Sequence, residues 1–148
     1  MPDLVLPEPP WRAVLDPGVY VSAILNPTRT PARLVDRLLV DARWDQVVSP
    51  LLLDELSRVL HRAKFHHRLD AALIAAFVAQ LVDHAFVAED PAPAGRPLTA
   101  DPKDDYLVAL SAAVDATVLV SGDRHLTTLT APPVPVLTPT ALLTAVQP

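Results

Sequence analysis

Cysteine is absent from the 148 residues. That excludes disulfides, thiolate metal sites and cysteine nucleophiles, and it fits a reducing compartment. Aromatic residues make up only 5%. Trp44 and Phe77 read as structural, so no platform for stacking bases is evident. No apolar run approaches the length of a membrane span. The opening Met1-Pro2-Asp3 lacks the basic flank and small-residue cleavage site of a signal peptide. A soluble, cytoplasmic protein with no membrane partner is expected. Positive charge is in deficit, with 12 Lys and Arg against 17 Asp and Glu, a net charge of −5. This is the wrong sign for holding nucleic acid by bulk charge. Any polyanionic ligand would need bound cations and a local basic rim.

What is present describes a folded chain. Half of it is apolar (51%) and 20% is charged, so it should fold rather than stay disordered. The length suggests one domain spanning residues 1–148, long enough to bury a sizeable core. Residues 1–11 are Pro-rich and read as a peripheral segment, and 89–96 (EDPAPAGR) as an exposed loop. Glycine is scarce at 3 and proline abundant at 17. The prolines act as punctuation at element boundaries.

Short apolar runs at 12–15, 46–48, 85–88, 117–120 and 134–137 read as strands. Between them lie segments of period near 3.6. Leu34, Val35, Leu38 and Leu39 form one stripe, Leu52, Leu56, Val59, Leu60 and Ala63 a second, and Leu73, Ile74, Phe77, Val78, Leu81 and Val82 a third. Helix starts repeat one device: Thr30-Pro31, Ser49-Pro50, Asp101-Pro102, Thr138-Pro139 and Asp16-Pro17 each pair a capping side chain with proline. The oxygen accepts an orphan N–H, while proline has none to orphan and a φ already helical. Strands alternating with helices predict an α/β fold with a mostly parallel sheet covered on both faces. In such sheets functional groups gather at the carboxyl ends of the strands.

The acids fall there. Asp16 follows the run Ala13-Val14-Leu15, and Asp123 follows Val118-Leu119-Val120-Ser121-Gly122. Asp104 and Asp105 belong to the first turn of the helix opened by Asp101-Pro102. Glu55 flanks the apolar stripe of its helix, whereas Asp54 opposes it. Singly, each acid is better explained as a cap, a favourable charge at a helix start or a boundary residue. Together, four carboxylates from separate elements would meet at one sheet edge, where mutual repulsion would force some to hold protons. A divalent cation removes that penalty, and oxygen-only ligands suit Mg²⁺ or Mn²⁺.

On these residues the chain resembles PIN-domain proteins of the toxin–antitoxin type, the VapC-like ribonucleases and their relatives. The segment 13–25 (AVLDPGVYVSAIL) is similar to the family's opening hydrophobic-Asp-Thr-Asn stretch. The segment 49–65 resembles the second, whose acid falls on Glu55. The best match is 101–113 (DPKDDYLVALSAA) followed by 118–126 (VLVSGDRHL), where Asp105, Ser121 and Asp123 fall on family positions and Asp104 is an adjacent alternative. The likeness spans roughly 12–145. It implies a three-layer α/β/α sandwich and one or two Mg²⁺ or Mn²⁺ ions held by Asp16, Asp105, Asp123 and Glu55. Ser121 would position an acid or a water through its hydroxyl. It further implies hydrolysis of single-stranded RNA, a partner antitoxin and a homodimer.

One departure stands out. The usual Asp-Thr-Asn reads Asp16-Pro17-Gly18, which removes a polar side chain beside the first acid. Losses of this kind commonly cost about 10- to 100-fold in affinity or activity. A weakened or silenced PIN domain acting as a binding module is therefore the nearest rival. Candidate RNA contacts are Arg29, Arg33, Lys64, Lys103 and Arg124, each of which is more simply an ordinary surface charge. The five histidines read as structural or surface groups, since His66 and His67 are adjacent and no His-x₃-His pair occurs. His125, two residues after Asp123, stays open. Aspartyl phosphoryl chemistry is disfavoured. No lysine follows the last strand, as a receiver needs, and position 18 lacks the second Asp of an aspartyl-nucleophile phosphatase.

Overall fold

The computed structural model describes residues 4–146, so the Met1-Pro2-Asp3 start read above lies outside the described residues. The described chain runs β1 (Trp11–Leu15), α1 (Pro17–Leu25), α2 (Thr30–Val40), β2 (Trp44–Val48), α3 (Pro50–Leu60), α4 (Ala71–His84) and β3 (Phe86–Val87). It continues with α5 (Asp105–Ala113), β4 (Val118–Val120), α6 (Arg124–Thr127), β5 (Val136–Leu137) and α7 (Pro139–Val146). The five expected strands all form. They make one sheet in the order β3-β2-β1-β4-β5, and every pairing is parallel.

The apolar runs explain the layering. Ala13, Val14, Leu15, Val118, Leu119 and Val120 are fully buried, as strands covered on both faces must be. The chain winds outward from β1 through β2 to β3, then crosses back to β4 and on to β5. Right-handed crossovers therefore put α1–α4 on one face and α5 on the other. This is the expected three-layer α/β/α sandwich. The winding direction reverses between β1 and β4, and that switch point is where ligands bind in open parallel sheets.

The capping device works at three of its expected sites in full. Asp16 accepts from Gly18 N–H (2.9 Å), Ser49 from Leu52 N–H (3.3 Å) and Thr138 from Ala141 N–H (3.1 Å). Two sites differ. α2 starts at Thr30 itself, with Arg29 at the cap and no side-chain hydrogen bond. Asp101-Pro102 opens a single 3₁₀ turn, Pro102–Asp104, before α5 begins at Asp105. The N-terminal boundary also moves. Trp11, expected in the peripheral segment, opens β1 and is buried, with its ring centroid 5.4 Å from that of Trp44 and its indole N–H on Pro7 O (2.8 Å). A large indole with a satisfied N–H gains by burial what the flanking prolines do not.

Beneath α1 and α2 lies a small polar network. Tyr20 O–H donates to Gln46 Oε1 (2.8 Å), and Gln46 Nε2 donates to Val35 O (3.3 Å). Both side chains are shut away from solvent, and the rings of Tyr20 and Phe77 meet in a T-shaped contact.

Candidate active site

The switch point holds the first acid. Asp16 leaves β1, caps α1, and is tied to β4 by its backbone N–H on Val120 O (2.9 Å). Its Oδ2 accepts from Ser121 Oγ (2.8 Å), and the same Ser121 hydroxyl accepts from Asp123 N–H (2.9 Å). Ser121 is fully buried, so one hydroxyl fixes the carboxyl ends of the two central strands against each other. Asp123 then caps α6 through His125 N–H (2.8 Å) and stays exposed. Glu55 comes from α3, where its Oε2 pairs with Arg58 (2.5 Å).

The third acid is Asp104. Asp105, the family position, turns away: its carboxylate accepts from Leu98 N–H (3.2 Å), Thr99 N–H (2.9 Å) and Thr99 Oγ1 (2.7 Å). The 3₁₀ turn, tighter than an α-turn, changes which of the two neighbours faces the sheet edge, and the loop's free N–H groups capture the other. The electrostatics separate the two aspartates. Burial would raise the carboxyl of Asp105, but the bonds from Thr99 and Leu98 outweigh it and hold it below the usual range. Asp104 is raised to about 6, by burial first and then by the charges of Asp16, Asp123 and Asp101. Its Oδ2 is buried with no hydrogen-bond partner. Asp16 is also raised, chiefly by burial, against the bonds from Gly18 and Ser121 and with the help of Asp123 and Glu55.

Two clefts flank Asp16 and Asp104. One, of about 290 Å³, is walled by Glu55, Val59, Arg62, Lys64, Lys103 and Tyr106. The other, of about 410 Å³, is walled by Ser22, Pro31, Gly122, Asp123 and Pro139. Of the candidate RNA contacts, Lys64 and Lys103 border the first cleft. Arg29, Arg33 and Arg124 are exposed and border neither. Two residues escaped sequence reasoning. Arg62 lies beyond the end of α3 at Leu60, with an extended backbone, so the helical period that carries Glu55 and Val59 does not reach it. Tyr106, whose buried hydroxyl has no partner, carried no sequence signal beyond lying next to two aspartates.

No ready-made cation cage exists among the described residues, since no three His, Asp or Glu side chains close on one point. The donor set nonetheless suits a hard divalent ion. It is all oxygen, two of its carboxyls are raised partly by neighbouring carboxylates, and one oxygen lacks any partner.

A family profile described as PIN domain matches residues 12–125. The chain belongs to the PIN-domain family. PIN domains are generally nucleases. Among solved structures it is similar to a VapBC2 complex from Rickettsia felis bound to a DNA fragment from its promoter. That likeness has a TM-score of 0.61 and 12% identity, over 86% of this chain and 98% of the other. It is also similar to PAE2754 from Pyrobaculum aerophilum, with a TM-score of 0.62 and 18% identity over 90% and 87%. At these identities the likeness is one of fold. No curated protein matches the chain. No described helix is long and apolar enough to cross a membrane.

Proposed function

We propose that this PIN domain is a metal-dependent endoribonuclease acting on single-stranded RNA. We further propose that it is the toxin of a toxin–antitoxin pair, a cytoplasmic homodimer restrained by a protein antitoxin. The observation that carries the nuclease reading is the unpartnered, buried Asp104 Oδ2 beside Asp16 at the switch point. A buried carboxylate oxygen without a partner is penalised unless a ligand completes it. The likeness to a VapBC complex supports the antitoxin partner.

Asp16, Asp104 and Asp123, with Glu55 at the rim, would hold one or two Mg²⁺ or Mn²⁺ ions. The ion supplies Lewis-acid stabilisation of phosphate charge and a more acidic water. Ser121 orients Asp16 by donating to Oδ2, so it is a positioning residue and not a nucleophile; its hydroxyl is fully buried and belongs to no His-containing triad. Asp105 holds the 98–99 loop that backs the 3₁₀ turn, and so places Asp104 without facing the substrate. Tyr106 and the apolar wall of Val59 keep bulk water from one side of the acids.

The test is cleavage of a mixed single-stranded RNA pool with Mn²⁺ or Mg²⁺, against EDTA, Asp16→Asn, Asp104→Asn and Asp123→Asn. Loss of cleavage in every control is expected. Cleavage that survives EDTA, or survives Asp16→Asn, sinks the reading. The rival reading, a silenced binding module, rests on Gly18. It predicts metal binding by titration with no cleavage from well-folded protein.

A further inference from the structure

The two clefts beside Asp16 and Asp104 differ in charge. Arg62, Lys64 and Lys103 line the cleft toward α3, whereas no lysine or arginine lines the cleft toward α2 and α7. These three cations are also uncommitted, since none forms an ion pair among the described residues. Their neighbours are occupied: Arg58 pairs with Glu55, and Arg68 donates to the Leu25 carbonyl. Lys64 Nζ lies 5.1 Å over the Phe65 ring, a cation–π contact that holds the ammonium against the cleft wall. Tyr106 lines the same cleft, and its hydroxyl is buried and without a partner.

We propose that Arg62, Lys64, Lys103 and the Tyr106 hydroxyl form a phosphate grip that holds single-stranded RNA on one side of the acid centre only. An anion entering a cleft lined by Asp16, Glu55 and Asp104 is repelled. Cations along one wall offset that repulsion locally, which a chain of net charge −5 cannot do globally. Phosphate contacts of this kind position a strand without reading its sequence. Tyr106 contributes an uncharged donor where a fourth cation would instead be captured by the carboxylates. Its hydroxyl hydrogen has no protein acceptor, and a phosphate oxygen supplies one. The opposite cleft, lacking cations, leaves the other flank of the strand loosely held.

The grip takes its ligand from the nuclease reading, but its test does not require catalysis. Binding of a short fluorescent oligouridylate is measured by anisotropy in EDTA, so nothing is cut. Arg62→Ala, Lys64→Ala and Lys103→Ala are each expected to weaken binding about three- to tenfold, and to reduce the slope of log K against log salt by about 0.7. Tyr106→Phe is expected to weaken it about tenfold while leaving Tm unchanged or higher, because the deleted hydroxyl satisfies nothing in the free protein. Arg43→Ala, just before β2 and so at the opposite end of the sheet from both clefts, is the control. Unchanged affinity in all four variants overturns the grip. So does a loss confined to Arg29→Ala and Arg33→Ala, which would move the contact to the start of α2. A Tyr106→Phe variant that loses Tm and affinity together removes Tyr106 from the grip. If the binding pattern holds but the wild type cuts no RNA with Mn²⁺, the nuclease reading fails and the grip stands. If RNA is cut and binding ignores the four variants, the grip alone fails.

Discussion

Two tyrosine hydroxyls are withdrawn from water in this PIN domain, and the fold treats them differently. Tyr20 is fully buried and donates to Gln46 Oε1 at 2.8 Å, and Gln46 in turn reaches the Val35 carbonyl. Tyr106 faces the acid cleft and has no partner at all. In both, burial pushes the phenol up from its ordinary value; in Tyr106 the charges of Glu55, Asp16, Asp104 and Asp90 add to this. Burying a polar group is tolerable once its hydrogen bonds are made and expensive when they are not. The first network therefore belongs to the fold. The second is incomplete in the protein alone, and Asp104 Oδ2 beside it is incomplete in the same way. What is unfinished at the sheet edge marks where a ligand is expected.

Substitutions can break that contrast. The largest effect is expected from Asp16→Asn. Asparagine keeps the cap on α1, so Tm should hold, while cleavage falls about a hundredfold or more, given that a bound cation is worth several kcal/mol and each 1.4 kcal/mol is tenfold. A steady-state assay beside a thermal melt separates the two. Next comes Gln46→Leu, which strands the buried Tyr20 hydroxyl and should lower unfolding free energy by about 1–3 kcal/mol in urea titration, with cleavage per folded molecule unchanged. A comparable loss of stability in Tyr106→Phe would erase the distinction between the two tyrosines.

Gly18→Asn should raise cleavage about tenfold. A Cβ at position 18 would lie 3.6 Å from Asp16 Oδ1, an ordinary contact, and Gly18 does not have the positive φ that only glycine tolerates. A restored amide therefore has room beside the first acid. No gain in rate would show that the backbone N–H of Gly18 already does all that position 18 needs.

The smallest effects distinguish the adjacent aspartates by pH. Asp104 is raised to about 6, so the native state binds more protons than the unfolded one between about pH 4 and 6. Its contribution to stability is full below that window and is lost as pH rises through it. Asp105 is held below the ordinary value, so its contribution is present above about pH 4 and is lost on further acidification. In EDTA, Asp104→Asn should raise Tm at neutral pH and flatten the decline between about pH 4 and 6. Asp105→Asn should lower Tm and leave that decline in place. The reverse assignment would restore Asp105 as the inward-facing acid.

Much of this was legible from residue order. All five strands were read from apolar runs; the central ones are buried on both faces and have no polar alternation to obscure them, whereas β3 is apolar yet exposed at the sheet edge. The Ser49, Asp16 and Thr138 caps were equally plain, since capping is a local hydrogen bond between residues two or three apart. Asp16, Asp123 and Glu55 were placed correctly at the sheet's carboxyl edge and at the margin of an apolar stripe. The choice between Asp104 and Asp105 was not legible. It depends on a 3₁₀ turn and on two N–H groups of a loop six and seven residues back. Trp11 was misread because proline-rich flanks suggest a loose segment, whereas its burial is decided by Trp44 across the sheet.

The sequence by itself determined the alternation of strands and helices, the parallel sheet, and the family, because these follow from periodicity and local capping. Tertiary structure alone decided which aspartate faces inward, that Ser121 bridges Asp16 and Asp123, and that one cleft carries the cations while its twin carries none. The last two rest on residues far apart in the chain, such as Ser121 with Asp16 at a separation of 105, and the first on a loop that folds back over the 3₁₀ turn. Only the winding of the sheet brings such residues together.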